Sequence, residues 1–389
     1  MANKKAVCVV TGTRAEYGLL RPLIDKLYNS AVIELRLVVT GAHLNVAFGE
    51  TFREIEADGY PIDAKIELEL SSDTDTGMAK ATGLAIVSFV DYFGGHRPHM
   101  VVLLGDRFEL FAAAVAVSML RIPIAHIAGG DTSEGAVDEF IRHSITKMSY
   151  LHFPTNEESR KRIIQLGEAP ERVFNVGALN VDNIVSCPLL SCEELSSDLC
   201  FDLSGEYILI TYHPATMDED SDAAGVKELL NAVERFPEAK LLITKANADA
   251  GGRAINAALD AFAASRSNCA IFASLGSLRY LSAVKHASIV VGNSSSGLYE
   301  TPSFGVPCVN IGDRQRGRLR AANVIDSIVE TEAIEAAIRK ALSEEFRSIV
   351  RETVSPFGDG RAAERIMEKI VFSLQDESID LKKEFYNCY

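Results

Sequence analysis

The chain has 389 residues, of which 47% are hydrophobic and 24% charged, and its formal net charge is −15. This length exceeds one compact core and predicts two domains of about 150 to 200 residues each. The negative charge argues against nucleic acid and anionic membrane surfaces as partners, because both need a basic face. The apolar runs are shorter than the roughly 20 residues of a membrane span, and no signal-peptide pattern opens the chain. We therefore expect a cytoplasmic protein.

The seven cysteines are spread over the whole chain, and none forms a Cys-x-x-Cys pair. An odd and scattered set of thiols predicts neither a disulfide framework nor a zinc site. No stretch has the ligand spacing of a calcium-binding loop. The sequence therefore indicates no metal site.

Short β-branched runs alternate with helical patterns over most of the chain, which is typical of α/β proteins with parallel sheets. In the first half the predicted strands are 6–10, 35–40, 101–104, 122–127 and 173–176, and the clearest helices are 17–28 and 108–120. Polar or glycine-containing turns follow these strands. Ligands bind just beyond the carboxyl ends of strands in doubly wound sheets, so we expect functional residues in these turns.

A second alternating set begins after a polar, serine-rich stretch at 188–205, which we interpret as the connection between domains. Its predicted strands are 207–211, 240–244, 270–272, 289–291 and 306–311. We predict an N-terminal Rossmann-like domain at 1–185, a second one at 186–358, and a helical segment at 359–389 that packs back on the first. Two such domains facing each other across a central cleft would surround one ligand.

The turn after the predicted strand 289–291 reads Gly-Asn-Ser-Ser-Ser-Gly and leads into a helical pattern. Backbone N–H groups and the positive end of a helix dipole would meet there, which predicts a phosphate site. Ser294 and Ser295 would supply further donors, and Glu300 stands where a carboxylate could accept hydrogen bonds from ribose hydroxyls. The alternative is an ordinary turn with serine as the helix N-cap.

Basic residues cluster at 314–320, where four arginines occur within seven positions of an acidic protein. Such a cluster indicates a local anion site, although an exposed charged loop has the same composition.

Six motifs in series resemble the hydrolysing UDP-N-acetylglucosamine 2-epimerases of sialic and related nonulosonic acid biosynthesis. They are Gly-Thr-Arg-Ala-Glu-Tyr at 12–17, Gly-Asp-Arg at 105–107, Asp-Glu-Phe-Ile-Arg-His at 138–143, Tyr-His-Pro at 212–214, Gly-Asn-Ser-Ser-Ser-Gly at 292–297, and Gly-Asp-Arg-Gln-Arg-Gly-Arg at 312–318. The resemblance covers nearly the whole chain in the expected order. It implies the two-domain GT-B fold, UDP in the cleft between domains, and a homodimer.

The resemblance also implies the reaction, in which UDP is eliminated across C1 and C2 of the sugar and water then adds to the 2-acetamidoglucal. No carbonyl group acidifies the C2 proton, so its removal depends on a leaving group that departs with positive charge developing at C1. Carboxylates can both stabilise that charge and transfer the proton when their pKa values differ. No organic cofactor is expected.

The candidate catalytic carboxylates are Asp106, Asp131 and Asp138. Asp106 and Asp138 match acidic positions of the family that are associated with proton transfer. Each has a structural alternative, because Asp106 could cap the following helix and Asp138 could be a first-turn helix carboxylate. Ala128 stands where relatives often carry an acidic residue, and we expect Asp131 to compensate.

His213 corresponds to a family histidine held near the departing diphosphate, where it could donate a proton or a hydrogen bond. Arg142 and His143 also recur in the family motif, although a salt-bridged helix face explains them equally well. The remaining candidates for binding UDP or the sugar are Arg14, Arg107, Asn247, Ser294, Ser295, Glu300, Arg314 and Arg318.

The leading prediction is conversion of UDP-N-acetylglucosamine and water to N-acetylmannosamine and UDP. The same chemistry on UDP-N,N'-diacetylbacillosamine, as in the legionaminic acid route, is an alternative that the motifs leave open. A GT-B glycosyltransferase with a UDP-sugar donor would share the phosphate site but would need an acceptor. A nucleotide-sugar-binding protein without turnover is a third class.

Overall fold

A computed structural model describes residues 4–46, 49–68, 75–132, 137–214, 219–246, 252–375 and 379–388. The chain forms two compact units, the first made of Met1–Asn183 with Phe357–Tyr389 and the second of Ile184–Pro356. Each predicted domain boundary, at 185 and at 358, lies two residues beyond the corresponding end at 183 or 356.

The first unit is built on six parallel strands in the order β3-β2-β1-β4-β5-β6. These are β1 Lys5–Thr11, β2 Ile33–Thr40, β3 Ala64–Ile66, β4 Met100–Leu104, β5 Ile124–Ile127 and β6 Leu151–Phe153. Its helices in the first part of the chain are α1 Arg14–Tyr28, α2 Phe52–Ala57, α3 Asp75–Gly95, α4 Phe108–Met119, α5 Val137–Met148, α6 Glu157–Gln165 and α7 Leu179–Ser186, of which α7 continues past the boundary between the units.

The second unit repeats this order with its own six parallel strands, β12-β11-β10-β7-β8-β9. They are β7 Tyr207–Thr211, β8 Lys240–Thr244, β9 Cys269–Phe272, β10 Ile289–Gly292, β11 Cys308–Ile311 and β12 Val324–Ser327. Its helices are α8 Cys192–Leu199, α9 Glu219–Val233, α10 Gly252–Ala264, α11 Gly276–His286, α12 Ser296–Tyr299, α13 Thr301–Phe304, α14 Thr331–Leu342 and α15 Glu344–Arg351. The last helix, α16 Ala362–Gln375, belongs to the first unit.

Both faces of the first sheet are covered, which explains why its central strands are almost entirely apolar. One core lies between the sheet and α1 and α16, where Leu20, Leu23 and Ile366 are fully buried. The other lies against α3 and α4 and contains Phe89 and Leu110. In the part of the chain that the structure describes, no helix is long and apolar enough to span a membrane.

The prediction of an α/β fold with two Rossmann-like units is confirmed, but several of its elements are wrong. Residues 173–176 form no strand, because only Val173 bridges to His152 before the chain turns at Gly177. The stretch 188–205 is more than a connection, since it contains α8 with a Ser191–Glu194 capping box. Strands β3, β6 and β12 went unpredicted.

Helix α16 is held to the first unit by a carboxylate from far along the chain. The buried Asp182 of α7 accepts hydrogen bonds from the N–H groups of Ala362 at 2.9 Å and Ala363 at 2.7 Å. These N–H groups lie at the helix start, where they have no acceptor within the helix. Asp182 therefore acts as the cap of α16.

We expect Asp182→Ala to lower the free energy of unfolding by about 1 to 2 kcal/mol, the cost of losing a helix cap. The measurement is urea denaturation followed by circular dichroism. Asp91→Ala, which changes an exposed aspartate of α3, is the matched control and should leave the free energy nearly unchanged. Equal stability of the two variants would contradict the capping role.

Candidate active site

The predicted site residues flank the switch point of each sheet, where the strand order reverses. In the first unit this point lies between β1 and β4, which lead into Gly12 and Gly105. In the second it lies between β7 and β10, which lead into Tyr212 and Asn293. Ligands of doubly wound sheets bind at these points.

The Arg142 guanidinium lies at the centre of the first unit's candidate site. It forms an ion pair with the Asp106 carboxylate and donates a 2.9 Å hydrogen bond to the backbone oxygen of Asp131. Its Nη1 also donates to Glu139 at 3.2 Å. Arg142 is buried, so it joins the turns after β4 and β5 to α5.

Two of the predicted catalytic carboxylates, Asp131 and Asp138, act electrostatically on the third, Asp106. Burial raises the pKa of Asp106, Arg142 opposes that rise, and the negative charges of Asp138 and Asp131 add to it. The N-cap of α4 is Arg107, so Asp106 is not the cap that the structural alternative required. Asp138 does lie in the first turn of α5, as its structural alternative predicted.

Asp131 is oriented by the start of α6. Its Oδ1 accepts hydrogen bonds from the Ser159 hydroxyl and, at 3.5 Å, from the Asn156 amide. Asn156 also caps α6 by accepting the N–H of Ser159 at 2.9 Å. His143, in contrast, donates to Glu139 of its own helix at 3.1 Å.

Two buried glutamates beside the same turns were missed by sequence reasoning. Arg107 contacts Glu109 with Nε to Oε1 at 2.6 Å, and Glu16 at 3.6 Å. Burial raises the pKa of Glu16 to about 7, the Gly12 N–H opposes the rise, and the charge of Glu109 adds to it. The predicted Arg14 lies at the surface and pairs with Glu54 at 3.0 Å.

His126 of β5 is a third missed residue, and it fixes the turn that carries Asp106. Its Nε2 donates a 2.8 Å hydrogen bond to the backbone oxygen of Gly105. Burial lowers the pKa of His126 to about 3, so the ring is neutral at physiological pH. A Cβ on Gly129 would come within 2.8 Å of the ring nitrogen Nδ1, so this close approach requires glycine.

The second unit's candidate site is organised by Asn293, which follows β10 and is almost fully buried. Its Oδ1 accepts the N–H of His213 at 2.7 Å, and its Nδ2 donates to the His213 oxygen at 2.8 Å. The side chain thereby pairs with the His213 backbone as a neighbouring strand would. This contact brings the histidine turn and the serine turn together.

The serine turn offers unused donors, as the phosphate hypothesis requires. Within the described ranges, the N–H groups of Ser294 and Ser295 donate to no protein group. Ser295 is the N-cap residue of α12, and its side chain makes no capping hydrogen bond. The Ser294 hydroxyl instead accepts the N–H of Ser296 at 3.4 Å, so the alternative of a serine cap stays open. The predicted helix is divided into two single turns, α12 and α13, with Glu300 at the junction.

Glu300 accepts the last of two hydrogen bonds that connect hydroxyl groups in series. Tyr280 donates to the Ser296 hydroxyl at 2.8 Å, and Ser296 in turn donates to Glu300. Burial raises the pKa of Glu300, and the Ser296 hydrogen bond opposes the rise.

The arginine loop after β11 is tied to the same turns. Arg314 donates to the backbone oxygens of Pro214 and Asn293, both at 3.2 Å, and the buried Gln315 donates to Asn293 at 2.8 Å. The Arg318 side chain is exposed. Asn247 lies outside the described residues.

Comparisons with known proteins bear on the whole of this arrangement. A sequence model of the UDP-N-acetylglucosamine 2-epimerase family matches residues 25–371. The chain is 42% identical, over 89% of each protein, to a hydrolysing GDP/UDP-N,N'-diacetylbacillosamine 2-epimerase of Campylobacter jejuni. It is 38% identical to polysialic acid biosynthesis protein P7 of Escherichia coli, over 98% of this chain and 97% of the relative.

Solved structures agree on the fold. The UDP-N-acetylglucosamine 2-epimerase of Neisseria meningitidis, determined with UDP-N-acetylglucosamine, superposes with a TM-score of 0.79. Its sequence identity is 18%, and the match covers 94% of this chain and all of the other. The two sheets therefore have the GT-B-like architecture of nucleotide-sugar enzymes. The chain belongs to the hydrolysing branch of the UDP-N-acetylglucosamine 2-epimerase family, which confirms the resemblance seen in its motifs.

The raised pKa of Glu16 gives a prediction for stability against pH. Because the ordinary value is 4.5 and the folded value about 7, the folded state binds the extra proton in this interval. Stability therefore falls as the pH rises through it. Glu16→Gln cannot ionise, so its free energy of unfolding should rise relative to wild type by up to about 3 kcal/mol between pH 4.5 and 7.5.

Urea denaturation at the two pH values measures this difference. Glu56→Gln, which alters an exposed partner of Lys65, serves as the control. A relative stability of Glu16→Gln that stays constant with pH would show that Glu16 ionises normally.

Proposed function

We propose that this protein is a hydrolysing 2-epimerase of a UDP-activated 2-acetamido sugar, with UDP-N-acetylglucosamine as first candidate substrate and N-acetylmannosamine as product. The observation that supports this most is the Asp106 carboxylate, which pairs with Arg142 and has the negative charges of Asp131 and Asp138 nearby. Neighbouring carboxyl groups in different environments can divide the roles of general acid and general base. In this proposal the product feeds the biosynthesis of a sialic-type nonulosonic acid.

The reaction proceeds in two steps that balance without an added redox agent. A carboxylate removes the C2 proton, the C1–O bond breaks, and its electron pair leaves with UDP. Water then adds its oxygen to C1 of the 2-acetamidoglucal, and a proton returns to C2 from the opposite face. We assign these proton transfers to Asp106, Asp131 and Asp138, because Asp106 has a raised pKa and two acidic neighbours.

The second unit would hold the nucleotide in this proposal. The N–H groups of Ser294 and Ser295, which donate to no described residue, and their hydroxyl groups suit diphosphate oxygens. Glu300 suits the ribose hydroxyls. His213, fixed through its backbone by Asn293, would donate to the departing phosphate oxygen. Arg14, Arg107, Arg314, Arg318 and Asn247 remain proposed substrate contacts.

UDP-N,N'-diacetylbacillosamine is the second candidate substrate, favoured by the 42% identity to an enzyme named for it. The 38% identity to a polysialic acid biosynthesis protein favours the first. The two sugars differ at C4 and C6. A pocket that hydrogen-bonds one pattern rejects the other strongly, because the mismatch leaves buried polar groups unpaired. We also propose a cytoplasmic homodimer, as the family resemblance implies.

The decisive experiment incubates the protein with each UDP-sugar in deuterated water and follows the sugars by proton NMR. We expect free manno-configured sugar carrying deuterium at C2, together with UDP. Asp106→Asn should lower turnover by about a hundredfold or more, since it removes a general acid–base group. The exposed Asp91→Asn should match wild type.

Two results would contradict the proposal. Transfer of the sugar to an acceptor without C2 exchange would indicate a glycosyltransferase. Binding of a UDP-sugar that stays chemically unchanged would indicate a binding protein without turnover.

The phosphate site makes a separate prediction. Ser294→Ala combined with Ser295→Ala should weaken UDP binding by about tenfold, because two hydroxyl donors are lost while the backbone donors remain. Isothermal titration calorimetry measures the affinity. Ser197→Ala, an exposed serine of α8, is the control, and an unaltered affinity of the double variant would remove this site from the proposal.

A further inference from the structure

We propose that Glu16 and Glu109 are positioning residues that hold Arg107 by its Nε, so that its two Nη groups bind oxygen atoms of the nucleotide sugar. This inference rests on the proposed function. Glu16 lies in the first of the six motifs but was given no role there, and Glu109 lies outside all of them. Their effect on the reaction would pass through Arg107 alone.

The Arg107 guanidinium is held from one side only. Its Nε lies 2.6 Å from Glu109 Oε1 and 3.6 Å from Glu16 Oε1. Neither Nη1 nor Nη2 donates a hydrogen bond to any residue that the structure describes, and the side chain is 45% exposed. Two parallel N–H groups on a fixed guanidinium are the arrangement that binds phosphate or carboxylate oxygens in pairs.

The backbone around Glu109 is shaped for its carboxylate. Glu109 is fully buried in the first turn of α4. A Cβ on Gly12, after β1, would lie 2.8 Å from Glu109 Oε1, and one on Gly41, after β2, would lie 3.0 Å from it. Glycine at both strand ends therefore makes room for this one side chain. An ion pair without a function would not require glycine at two separate strand ends.

The two glutamates are also costly to the fold. Glu16 Oε1 and Glu109 Oε2 are buried and have no hydrogen-bond partner among the described residues. Glu16 Oε2 is the better satisfied oxygen, since it accepts the Gly12 N–H at 2.7 Å. Burying two carboxylates against one arginine is expensive. A cost that stability does not explain is typical of functional sites.

Arg107 and Arg142 form ion pairs with different carboxylates. Arg142 pairs with Asp106, whereas Arg107, the next residue after Asp106, pairs with the two glutamates. Burial lowers the pKa of Arg107, but the charges of Glu109, Glu16 and, last, Asp138 raise it above its ordinary value. An Arg107 released from Glu109 could turn to these aspartates and neutralise the carboxylate that accepts the proton. Glu16 and Glu109 would prevent this.

A double-mutant cycle tests whether Glu109 acts through Arg107. Rates of UDP release from the better substrate are measured for wild type, Glu109→Gln, Arg107→Met and the double variant. We expect each single variant to lose about tenfold to a hundredfold in kcat/KM, the usual scale for a displaced binding group. The double variant should be no worse than Arg107→Met.

Equal losses from Glu109→Gln in both backgrounds would overturn the inference, because Glu109 would then act independently of Arg107. Glu16→Gln is taken through the same cycle as a second variant, in case Glu109→Gln does not fold. Glu56→Gln, at an exposed ion pair, is the matched control for loss of a glutamate charge.

Arg107→Lys separates positioning from a structural ion pair. A lysine can pair with the glutamates but has no second pair of N–H groups left for the substrate. We expect it to keep the denaturation midpoint of wild type and to lose as much kcat/KM as Arg107→Met. Full activity of Arg107→Lys would show that the cluster is structural.

The proposed function can fail separately. If wild type binds UDP-N-acetylglucosamine without hydrolysing either sugar, the function is wrong, and the cycle is repeated on binding affinity by calorimetry. Non-additive losses of affinity would still support the positioning role, and additive ones would overturn it. A wild-type protein that neither binds nor hydrolyses either sugar would overturn both.

Discussion

Crowding of acidic side chains at the carboxyl edge of the first sheet is the constraint on which the rest of the site depends. The side chains are Glu16, Asp106, Glu109, Asp131 and Asp138, and two arginines face them. Because the arginines do not balance these charges, burial and mutual repulsion raise the pKa values of Glu16 and Asp106. A carboxyl group with a raised pKa holds its proton more strongly, which suits the proton transfers of the proposed function.

The central strands of both sheets were predictable because burial on two faces demands continuous apolar runs. Of the four edge strands, only β9 was predicted. Strands β3 and β6 have three residues each, and β12 carries Asp326 and Ser327. An edge strand pairs on one side only, so it needs no long apolar run. Helix α8 was not predicted because it also lacks a long apolar pattern, since only Leu195 and Leu199 of its eight residues are buried.

The candidate site was predictable where a short motif carries the chemistry and unpredictable where a residue acts through a distant backbone group. Asn293 was visible within the serine motif, but its bonds join it to His213, eighty positions earlier. His126 likewise acts on the Gly105 oxygen, and Glu109 occupies space left by Gly12 and Gly41. Sequence spacing contains none of these pairings. A charged residue in the otherwise apolar helical pattern 108–120, two positions after a motif, is the one signal that could have indicated Glu109.

The turn that carries Ala128 determines where Asp131 lies, the residue that we predict to replace an acid at position 128. Its φ of +59° is left-handed, a conformation that costs a non-glycine residue roughly 1 to 2 kcal/mol. The N–H of Ala128 bonds to the Phe153 oxygen at 3.0 Å, and Gly130 follows with φ +82°. This turn delivers Asp131 to the cap of α6, where Ser159 binds its carboxylate. The backbone oxygen of Asp131 also accepts from Arg142, which binds Asp106. Asp131 is one of the two acidic neighbours whose charges raise the pKa of Asp106, and its replacement of an acid at position 128 stays a prediction.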